Sequence, residues 1–337
     1  MRISETPVSL AEVARRAGVS SATASKALNG RVDVNEATRA RVEQAARDLG
    51  YLPNSLARGL MGARTGTVGV VTTDLDGRFA LPILMGVEDS LGIDRILSFL
   101  CDARGDDLRE ESLIASLLAR RVDGLILVGR QTDPRPSLGA IPVPVVYAYA
   151  ESDDPSDMSV TVDNADVGRR AARHLLDIGR RRIAQVAGEA SHGASRDRVG
   201  GASSAIAAAG LLEGAGRVRF GDWSEGWGRA AAHDILDQDG DVDAILCGSD
   251  QVARGVLDTL HERRVRVPDD VAVIGVDNWE PLAAHARPPL TTVDLQLQQL
   301  GRVAAHRLQR ATTGEIRGGV ERLPGSLIIR DSTVLRR

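Results

Sequence analysis

The sequence predicts an N-terminal all-α head joined to an α/β core of two doubly wound, parallel-sheet subdomains. Short amphipathic helices with small inward-facing residues follow one another before residue 52, and strand-like and helix-like segments alternate from Thr67 onward. This alternation favours parallel sheets with helices on both faces. The strands are too numerous for one sheet, and the series breaks near Val162–Asn164, so we expect two subdomains.

The head, residues 1–52, has the pattern of a helix-turn-helix. Small or apolar residues occupy its inward and turn positions, namely Val13, Ala14, Ala17, Gly18, Val19, Ala24 and Ala27. Gly18 breaks the first helix, and Ser20 or Ser21 can cap the second. Asn35 can cap a third helix, which Gly50 ends. A generic helical bundle that does not contact DNA is the alternative.

The second helix is the predicted recognition helix. Ser21, Ala22, Ser25 and Lys26 point outward from it, where such a helix meets base edges and phosphates. Lys26 is suited to guanine O6 and N7 or to a phosphate. Because Ser21 and Ala22 are small, we expect few direct base contacts from this helix.

Residues 53–64 are predicted to form a hinge helix and linker. Pro53 is tolerated at a helix start, and Asn54 can cap the short segment that follows. That segment has fewer than ten residues and contains Gly59, so it is too weak to form a helix alone.

Charge and composition limit the classes of protein to which the chain can belong. Residues 1–64 carry ten basic and six acidic side chains, a net charge of +4, whereas the whole chain of 337 residues carries −4. A basic head on an acidic body suits a nucleic-acid contact at the N-terminus. Lys26 is the only lysine, and Ala27 follows it. This excludes a Walker A loop and makes a pyridoxal-phosphate site implausible.

Other chemistry is not indicated. The sequence has no G-x-S-x-G nucleophile elbow, and its six histidines lack metal-type spacing. We therefore expect no enzyme activity, cofactor or metal. Cys101 and Cys247 are interpreted as small buried hydrophobes. No segment has the roughly 18 apolar residues of a membrane span, and the N-terminus lacks a secretory signal, so we expect a cytoplasmic protein.

Within the core, the predicted strands before the break are Val68–Val71, Ile96–Leu100, Gly124–Val128 and Val143–Tyr147, with a helix at Leu108–Arg120. After it come strands at Ile183–Ala187, Val218–Phe220, Ala244–Cys247 and Val271–Val276, and helices at Asn164–Ile178, Arg198–Ala209, Glu225–Leu236 and Gln251–Arg263. Open α/β sheets bind ligands at the carboxyl ends of their strands. We therefore expect a cleft there, between the subdomains.

These features together resemble the lactose-repressor/galactose-repressor family of bacterial transcription factors. In the head, the residues that carry the resemblance are Leu10–Ala14, Ala17–Ser20, Thr23, Ser25, Leu28–Asn29, Tyr51–Asn54 and Ala57–Leu60. In the core they are Val162–Asn164, His174–Leu175, Arg181–Ala184, Asp250, Val271–Gly275 and Pro289–Val293. The resemblance implies a core like the two-lobed periplasmic sugar-binding proteins. It places the core at residues 65–337, with an N-subdomain of about 65–162 and 293–320 and a C-subdomain of about 163–290 and 321–332.

The resemblance implies a homodimer that binds a near-palindromic operator on double-stranded DNA, with repression favoured over activation. By position, the DNA-binding residues would be Leu10, Ser20, Ser21, Ala22, Thr23, Ser25, Lys26, Asn29, Asn54, Ala57 and Leu60. Leu60 would be wedged into the central base step, with Ala57 facing the floor of the minor groove. A linker hydrophobe is the alternative for Leu60. Because no heptad segment follows Ile329, we expect a dimer rather than a tetramer.

In that family a small effector in the cleft controls DNA binding. By position, the effector-binding residues would be Phe79, Tyr149, Arg198, Trp223, Ser249, Asp250 and Asp277, and a sugar or sugar derivative would be the ligand. The alternatives are a helix N-cap for Asp250, a surface position for Arg198 and inter-lobe packing for Trp223. Ser249 stands where many relatives have Asn, and Tyr149 where some have an acid. An exported sugar-transport component and a hydrolase are the competing functions. The missing export signal and the DNA head argue against the first, and the missing nucleophile elbow and metal-type histidine spacing argue against the second.

Overall fold

The computed structural model describes residues 8–28, 33–51, 64–94, 96–211, 218–238, 240–315 and 318–334. These residues belong to two units, Met1–Thr65 and Gly66–Arg337. The predicted hinge helix, with Asn54, Ala57 and Leu60, lies outside the described residues, as does Asn29. Every helix in the described ranges is too short or too polar to cross a bilayer.

The first unit contains the helices α1 (Leu10–Ala17), α2 (Ser21–Leu28) and α3 (Glu36–Leu49). Ser9 caps α1 in a reciprocal capping box with Glu12, and Gly18 ends it with a φ of 64°. Ser20 rather than Ser21 caps α2, since its hydroxyl accepts a 3.1 Å hydrogen bond from the Thr23 amide. Asn35 caps α3 as predicted. The caps set the short turns that let three small helices pack on one another.

The interior of this unit is built from small aliphatic side chains. Its buried members are Val13, Ala14, Ala17, Ala24, Ala27, Val34, Val42, Ala45 and Ala46. All but Val34, Val42, Ala45 and Ala46 occupy positions that the helix-turn-helix pattern requires to face inward. Alanine at these positions lets the helix axes approach closely. The opposite face of α2 stays outside the core.

The second unit contains strands and helices in alternation. The strands, in chain order, are β1 (Thr67–Thr72), β2 (Leu97–Asp102), β3 (Leu125–Val128), β4 (Val145–Ala148), β5 (Met158–Val162), β6 (Ile183–Ala187), β7 (Val218–Phe220), β8 (Ala244–Cys247), β9 (Ala272–Asp277), β10 (Thr291–Asp294), β11 (Gly319–Leu323) and β12 (Ser326–Ile328). The helices are α4 (Ala80–Ile93), α5 (Asp107–Ala119), α6 (Asn164–Asp177), α7 (Gly193–Ala208), α8 (Glu225–Gln238), α9 (Asp250–Glu262), α10 (Glu280–Ala283) and α11 (Leu297–Thr312).

The strands form two six-stranded sheets within the described residues, in the orders β11-β5-β4-β3-β1-β2 and β12-β10-β9-β8-β6-β7. Every pairing between them is parallel except that of β10 with β12. We call the part built on the first sheet the N-lobe (66–162 and 297–323) and the part built on the second sheet the C-lobe (164–294 and 326–334). The predicted fold of two doubly wound subdomains is confirmed.

The chain crosses between the lobes at 162–164, 294–297 and 323–326. The last two crossings fall later than the predicted boundaries of 293 and 321, because β10 pairs with β9 as far as Asp294 and β11 pairs with β5 as far as Leu323. Strands β5, β10, β11 and β12 and helices α4, α10 and α11 are absent from the predicted series. Helix α7 starts at Gly193, five residues before its predicted start at Arg198.

Helices pack in close pairs where glycines on both partners face the other backbone. A Cβ on Gly86 of α4 would lie 1.9 Å from the Gln298 carbonyl oxygen, and one on Gly301 of α11 would lie 2.0 Å from that of Ile83. The same reciprocal contact joins α6 to α7 and α8 to α9, through Gly168, Gly201, Gly228 and Gly255. Only glycine permits such an approach, so these helix pairs form rigid outer layers on the sheets.

Replacing Gly301 with alanine is therefore expected to destabilise the core by about 1–3 kcal/mol, because the added methyl must push α11 away from the Ile83 carbonyl. Gly92 in α4 is the matched control, since it is exposed and its Cβ would meet only Glu88 Oε1 at 3.8 Å. Gly92→Ala should be neutral or stabilising by about 0.5–1 kcal/mol. Urea denaturation of both variants measures the difference, and equal midpoints would contradict this account of the packing.

Candidate functional site

The outer face of α2 is the candidate DNA-binding surface. Ser20, Ser21, Ala22 and Lys26 are exposed, while Leu10, Thr23 and Ser25 are partly exposed. Ala24 and Ala27 on the opposite face are buried. The described members of the predicted DNA-binding set on and next to α2 are thus at least partly accessible, with small side chains that let the helix backbone approach a groove. Leu10 lies instead at the start of α1, where it packs against the core.

Lys26 makes an ion pair on this surface. Its Nζ lies 2.6 Å from Asp33 Oδ2, and the two side chains are 55% and 52% exposed. An exposed pair of this kind contributes only ~0–1 kcal/mol, because water and salt screen it. A phosphate or a guanine edge can therefore take Lys26 from Asp33 at little cost.

A cavity of about 390 Å³ lies between the lobes of the second unit. Its walls come from the segments that follow β1, β3 and β4 in the N-lobe and β6, β7 and β8 in the C-lobe. The residues that line it are Asp74, Gly77, Arg78, Phe79, Arg130, Gln131, Thr132, Asp133, Tyr149, Glu189, His192, Ala194, Arg198, Trp223 and Gln251. The cavity lies at the carboxyl ends of parallel strands, as expected for an open α/β sheet.

Four of the seven predicted effector residues line this cavity: Phe79, Tyr149, Arg198 and Trp223. Arg198 is only 4% exposed, so the alternative of a surface arginine is wrong. Its Nε donates to Asn164 Oδ1 at 2.8 Å and its Nη1 donates to the Gly248 carbonyl at 2.7 Å. These bonds hold the guanidinium in one orientation at the cavity wall.

Each lobe contributes aromatic surface to the cavity. In the N-lobe, the rings of Phe79 and Tyr149 stack with centroids 5.5 Å apart. Burial raises the pKa of the Tyr149 hydroxyl to about 12, so it stays protonated and can donate a hydrogen bond. In the C-lobe, Trp223 donates its Nε1 proton to His192 Nδ1 at 2.9 Å. The Trp223 ring lies so close to Gly188 that a Cβ there would meet it at 2.3 Å, which fixes the plane of the ring.

Asp277 ends β9 just behind the cavity wall. Its Oδ2 accepts a 2.6 Å hydrogen bond from Arg78 Nη2, and its Oδ1 lies 3.9 Å from Arg198 Nη1. Burial raises the pKa of Asp277, while the two guanidinium groups oppose that shift. The backbone at Asp277 has a φ of 110°, in the region that favours glycine, so the surrounding contacts must hold it there.

The structure does not place Ser249 and Asp250 on the cavity wall. Ser249 caps α9, because its hydroxyl accepts a 3.2 Å hydrogen bond from the Val252 amide. The alternative that Asp250 is the helix cap is therefore wrong by one position. The Asp250 carboxylate is fully buried and accepts hydrogen bonds from Thr292 Oγ1 and from the Trp279 amide. Ser249 thus bonds within its own helix, whereas Asp250 bonds to β10 and to the segment after β9. Burial and the neighbouring Asp277 raise the pKa of Asp250 to about 8.

Sequence reasoning missed several lining residues, above all Arg78, Asp133 and His192. Asp74 and Arg130 follow predicted strands, so the rule that selected Asp277 would have found them. Arg78 and His192 lie in loops farther from the strands that precede them. The sequence carries no signal that their side chains turn toward the cavity. Within the described ranges, no cluster of His, Cys, Asp or Glu is arranged to hold a metal ion.

Two parts of the chain match known families. Residues 9–54 match the bacterial regulatory proteins of the lacI family, and residues 172–333 match the periplasmic binding protein-like domain. The first match covers the helix-turn-helix and extends into the predicted hinge. The second covers most of the C-lobe and the returning part of the N-lobe.

Curated relatives match over nearly their whole length. The chain is 36% identical to the HTH-type transcriptional regulator CelR of Thermobifida fusca over 90% of this chain and 91% of that protein. It is 35% identical to the ribose operon repressor of Escherichia coli K12 over 89% of this chain and 93% of that protein.

Solved structures match as well. The lac repressor dimer bound to operator and the anti-inducer ONPF is 28% identical, with a TM-score of 0.78 and coverage of 98% of this chain and 100% of that chain. The complex of the transcriptional regulator CelR with cellobiose is 32% identical, with a TM-score of 0.66 and coverage of 96% and 99%. With a helix-turn-helix head, a two-lobed core and full-length relatives of this kind, the chain belongs to the lacI family of bacterial regulatory proteins.

Proposed function

We propose that the chain is a transcriptional repressor that binds a near-palindromic operator as a homodimer and responds to a small carbohydrate in the cleft. The observation that carries this proposal is the presence, in one chain, of an exposed recognition helix and a preformed cavity with aromatic walls. We infer that the protein works in the cytoplasm, because its DNA target lies there in a bacterium.

The cavity suits a ring-shaped ligand with several hydroxyl groups. Trp223 offers a fixed aromatic face to the apolar C–H face of a sugar, while Phe79 and Tyr149 offer apolar surface from the other lobe. Arg198 and Asp133 provide a charged donor and a charged acceptor for hydroxyl groups. The cellobiose complex of the relative CelR supports a carbohydrate ligand of similar chemistry here.

The N-lobe presents an apolar face that suits a second copy of the chain. Half of the exposed large hydrophobic residues of the described ranges lie on α4 and the edge strand β2: Leu81, Met85, Ile93, Leu97, Phe99 and Leu100. Ile93 is 82% exposed and Leu97 is 68% exposed. Apolar patches of this kind mark protein interfaces. The dimeric state of the lac repressor structure supports this assignment.

DNA binding is tested by gel shift with genomic fragments, where specific, salt-sensitive binding is expected. Lys26→Ala should weaken binding and lower the slope of log K against log salt by about two, because each of the two heads loses one phosphate contact. Arg263→Ala, an exposed arginine of the C-lobe, is the control and should leave both quantities unchanged. No specific binding by the wild type, with or without effector, would overturn the proposed function.

The dimer face is tested by Leu97→Asp, which places a charge on an apolar surface that the partner should bury. The variant is expected to sediment as a monomer at concentrations where the wild type is a dimer, and to bind operator at least tenfold more weakly. Leu108→Asp is the matched control, since Leu108 is 78% exposed on α5, outside this face. If Leu97→Asp remains fully dimeric, the interface lies elsewhere.

The carbohydrate site is tested by Trp223→Ala, measured by isothermal titration calorimetry with the carbohydrate that alters operator binding. Loss of the aromatic face should lower affinity about tenfold, equivalent to ~1.4 kcal/mol. Trp227→Phe is the control, because Trp227 packs against Gly221 and donates its Nε1 proton to the Ala187 carbonyl, away from the cavity. Unchanged affinity in Trp223→Ala would remove this ring from the site.

A further inference from the structure

Arg78 reaches across the cleft from one lobe to the other. It lies in the N-lobe loop between β1 and α4, and its Nη2 donates to Asp277 Oδ2 of the C-lobe at 2.6 Å. Its guanidinium carbon lies 4.6 Å from the ring centroid of Phe79 in the N-lobe and 5.0 Å from that of Trp279 in the C-lobe. The cation therefore contacts a carboxylate and an aromatic face of the C-lobe while its own chain belongs to the N-lobe.

The surroundings make this contact stronger than a surface ion pair. The Asp277 side chain is 4% exposed and that of Arg78 is 19% exposed, so little water screens the two charges. Removing either partner leaves the other charge buried and poorly solvated, which is unfavourable. The lobes can separate at this point only if another group replaces the lost partner or water enters.

A second inter-lobe contact is made by Asp133, which also lines the cavity. Asp133 of the N-lobe accepts a 2.9 Å hydrogen bond from the Gly193 amide, at the N-terminus of the C-lobe helix α7. Arg196 Nη2 lies 3.6 Å from the same carboxylate oxygen. Charged side chains of the N-lobe thus engage the C-lobe twice, and both of these side chains line the cavity.

Arg78 and Asp277 differ in their access to the cavity. Arg78 lines it and its side chain is 19% exposed, whereas Asp277 does not line it and its side chain is 4% exposed. Arg78 Nη1 is buried and has no hydrogen-bond partner within the described ranges. A ligand hydroxyl can therefore take the hydrogen-bonding position on Asp277 Oδ2 only by displacing Arg78, whereas it can accept from Arg78 Nη1 without displacing it. The other carboxylate oxygen, Oδ1, is buried and accepts no hydrogen bond within the described ranges.

We propose that Arg78 is a latch that closes the effector-free cleft by occupying Asp277, and that it competes with the effector for this carboxylate. The part concerning the effector rests on the proposed function. The closure of the cleft by the latch does not, because it concerns the chain alone. Arg78 is a positioning residue in this scheme, and it sets how much of the effector's binding energy is spent on opening the cleft.

The test measures the distance between the lobes without effector. Nitroxide labels are placed on Glu111→Cys of α5 and Ser204→Cys of α7, two exposed helix positions on different lobes, in a Cys101→Ser background. Cys247 is fully buried and should not react. Pulsed electron resonance then gives the distance distribution of the full chain for each latch variant.

Labelled chain is mixed with an excess of unlabelled chain, so that most dimers carry one labelled protomer, and we then expect a single narrow distance in the wild type. Arg78→Ala should add a longer component, displaced by more than about 2 Å, as expected for a lobe rearrangement. Arg78→Lys keeps the charge and should restore most of the shorter distance. Asp277→Asn breaks the pair from the other side and should open the cleft as Arg78→Ala does, and the double variant should open it no further.

The control is Arg322→Ala, which removes an ion pair with Glu151 inside the N-lobe and should leave the distance unchanged. If Arg78→Ala, with a melting temperature near that of the wild type, gives the wild-type distance, the latch is refuted. The latch is also refuted if Arg78→Ala and Arg322→Ala lengthen the distance between the lobes equally. A chain that opens on loss of Arg78 but binds no operator would retain the latch and overturn the proposed function.

Discussion

Two arginines from opposite lobes share one buried carboxylate, and the form of the cleft depends on that arrangement. Arg198 is fixed on the C-lobe by Asn164 and by the Gly248 carbonyl, so Asp277 has one permanent cationic neighbour. Its second cationic neighbour, Arg78, is attached to the other lobe. Buried charges must be paired, so the distance between the lobes is coupled to the ionic partners of Asp277. A change of partner at this atom therefore becomes a change in lobe position.

Such coupling requires lobes that move as rigid bodies, and the packing of the core provides this. Aromatic residues make up only 3% of the chain, so rigidity comes from close backbone contact between aliphatic layers. The glycine-paired helices α4 with α11, α6 with α7 and α8 with α9 bring backbones into direct contact. Bending is then concentrated in the three short crossings between the lobes. A hinge confined to a few residues transmits a local change of contacts over the whole molecule.

The sequence predicted the elements whose signal is local and missed those that depend on distant pairing. Strands β6, β7 and β8 agree with prediction to the residue, because each is a short, mostly apolar segment between predicted helices. Strands β11 and β12 are partly exposed edge strands that exist through pairing with β5 and β10, so their own sequence says little. Arg198 and Trp223 were found by family position. Arg78 was missed because a loop side chain that crosses a cleft leaves no periodic signal, and the hinge helix with Leu60 stays a prediction.

The contacts made by the recognition helix and the geometry of the cleft together determine operator affinity. The exposed face of α2 carries Ser21 and Ala22 beside one lysine, so a single head offers few strong contacts to base edges. Operator affinity then depends on two heads held at the correct spacing by the dimer, which makes it sensitive to lobe geometry. A ligand shifts that geometry only by as much as it prefers one lobe arrangement over the other. Exchange of Arg78 for a ligand at Asp277 Oδ2 would create such a preference, because one hydrogen-bonding position cannot hold both partners.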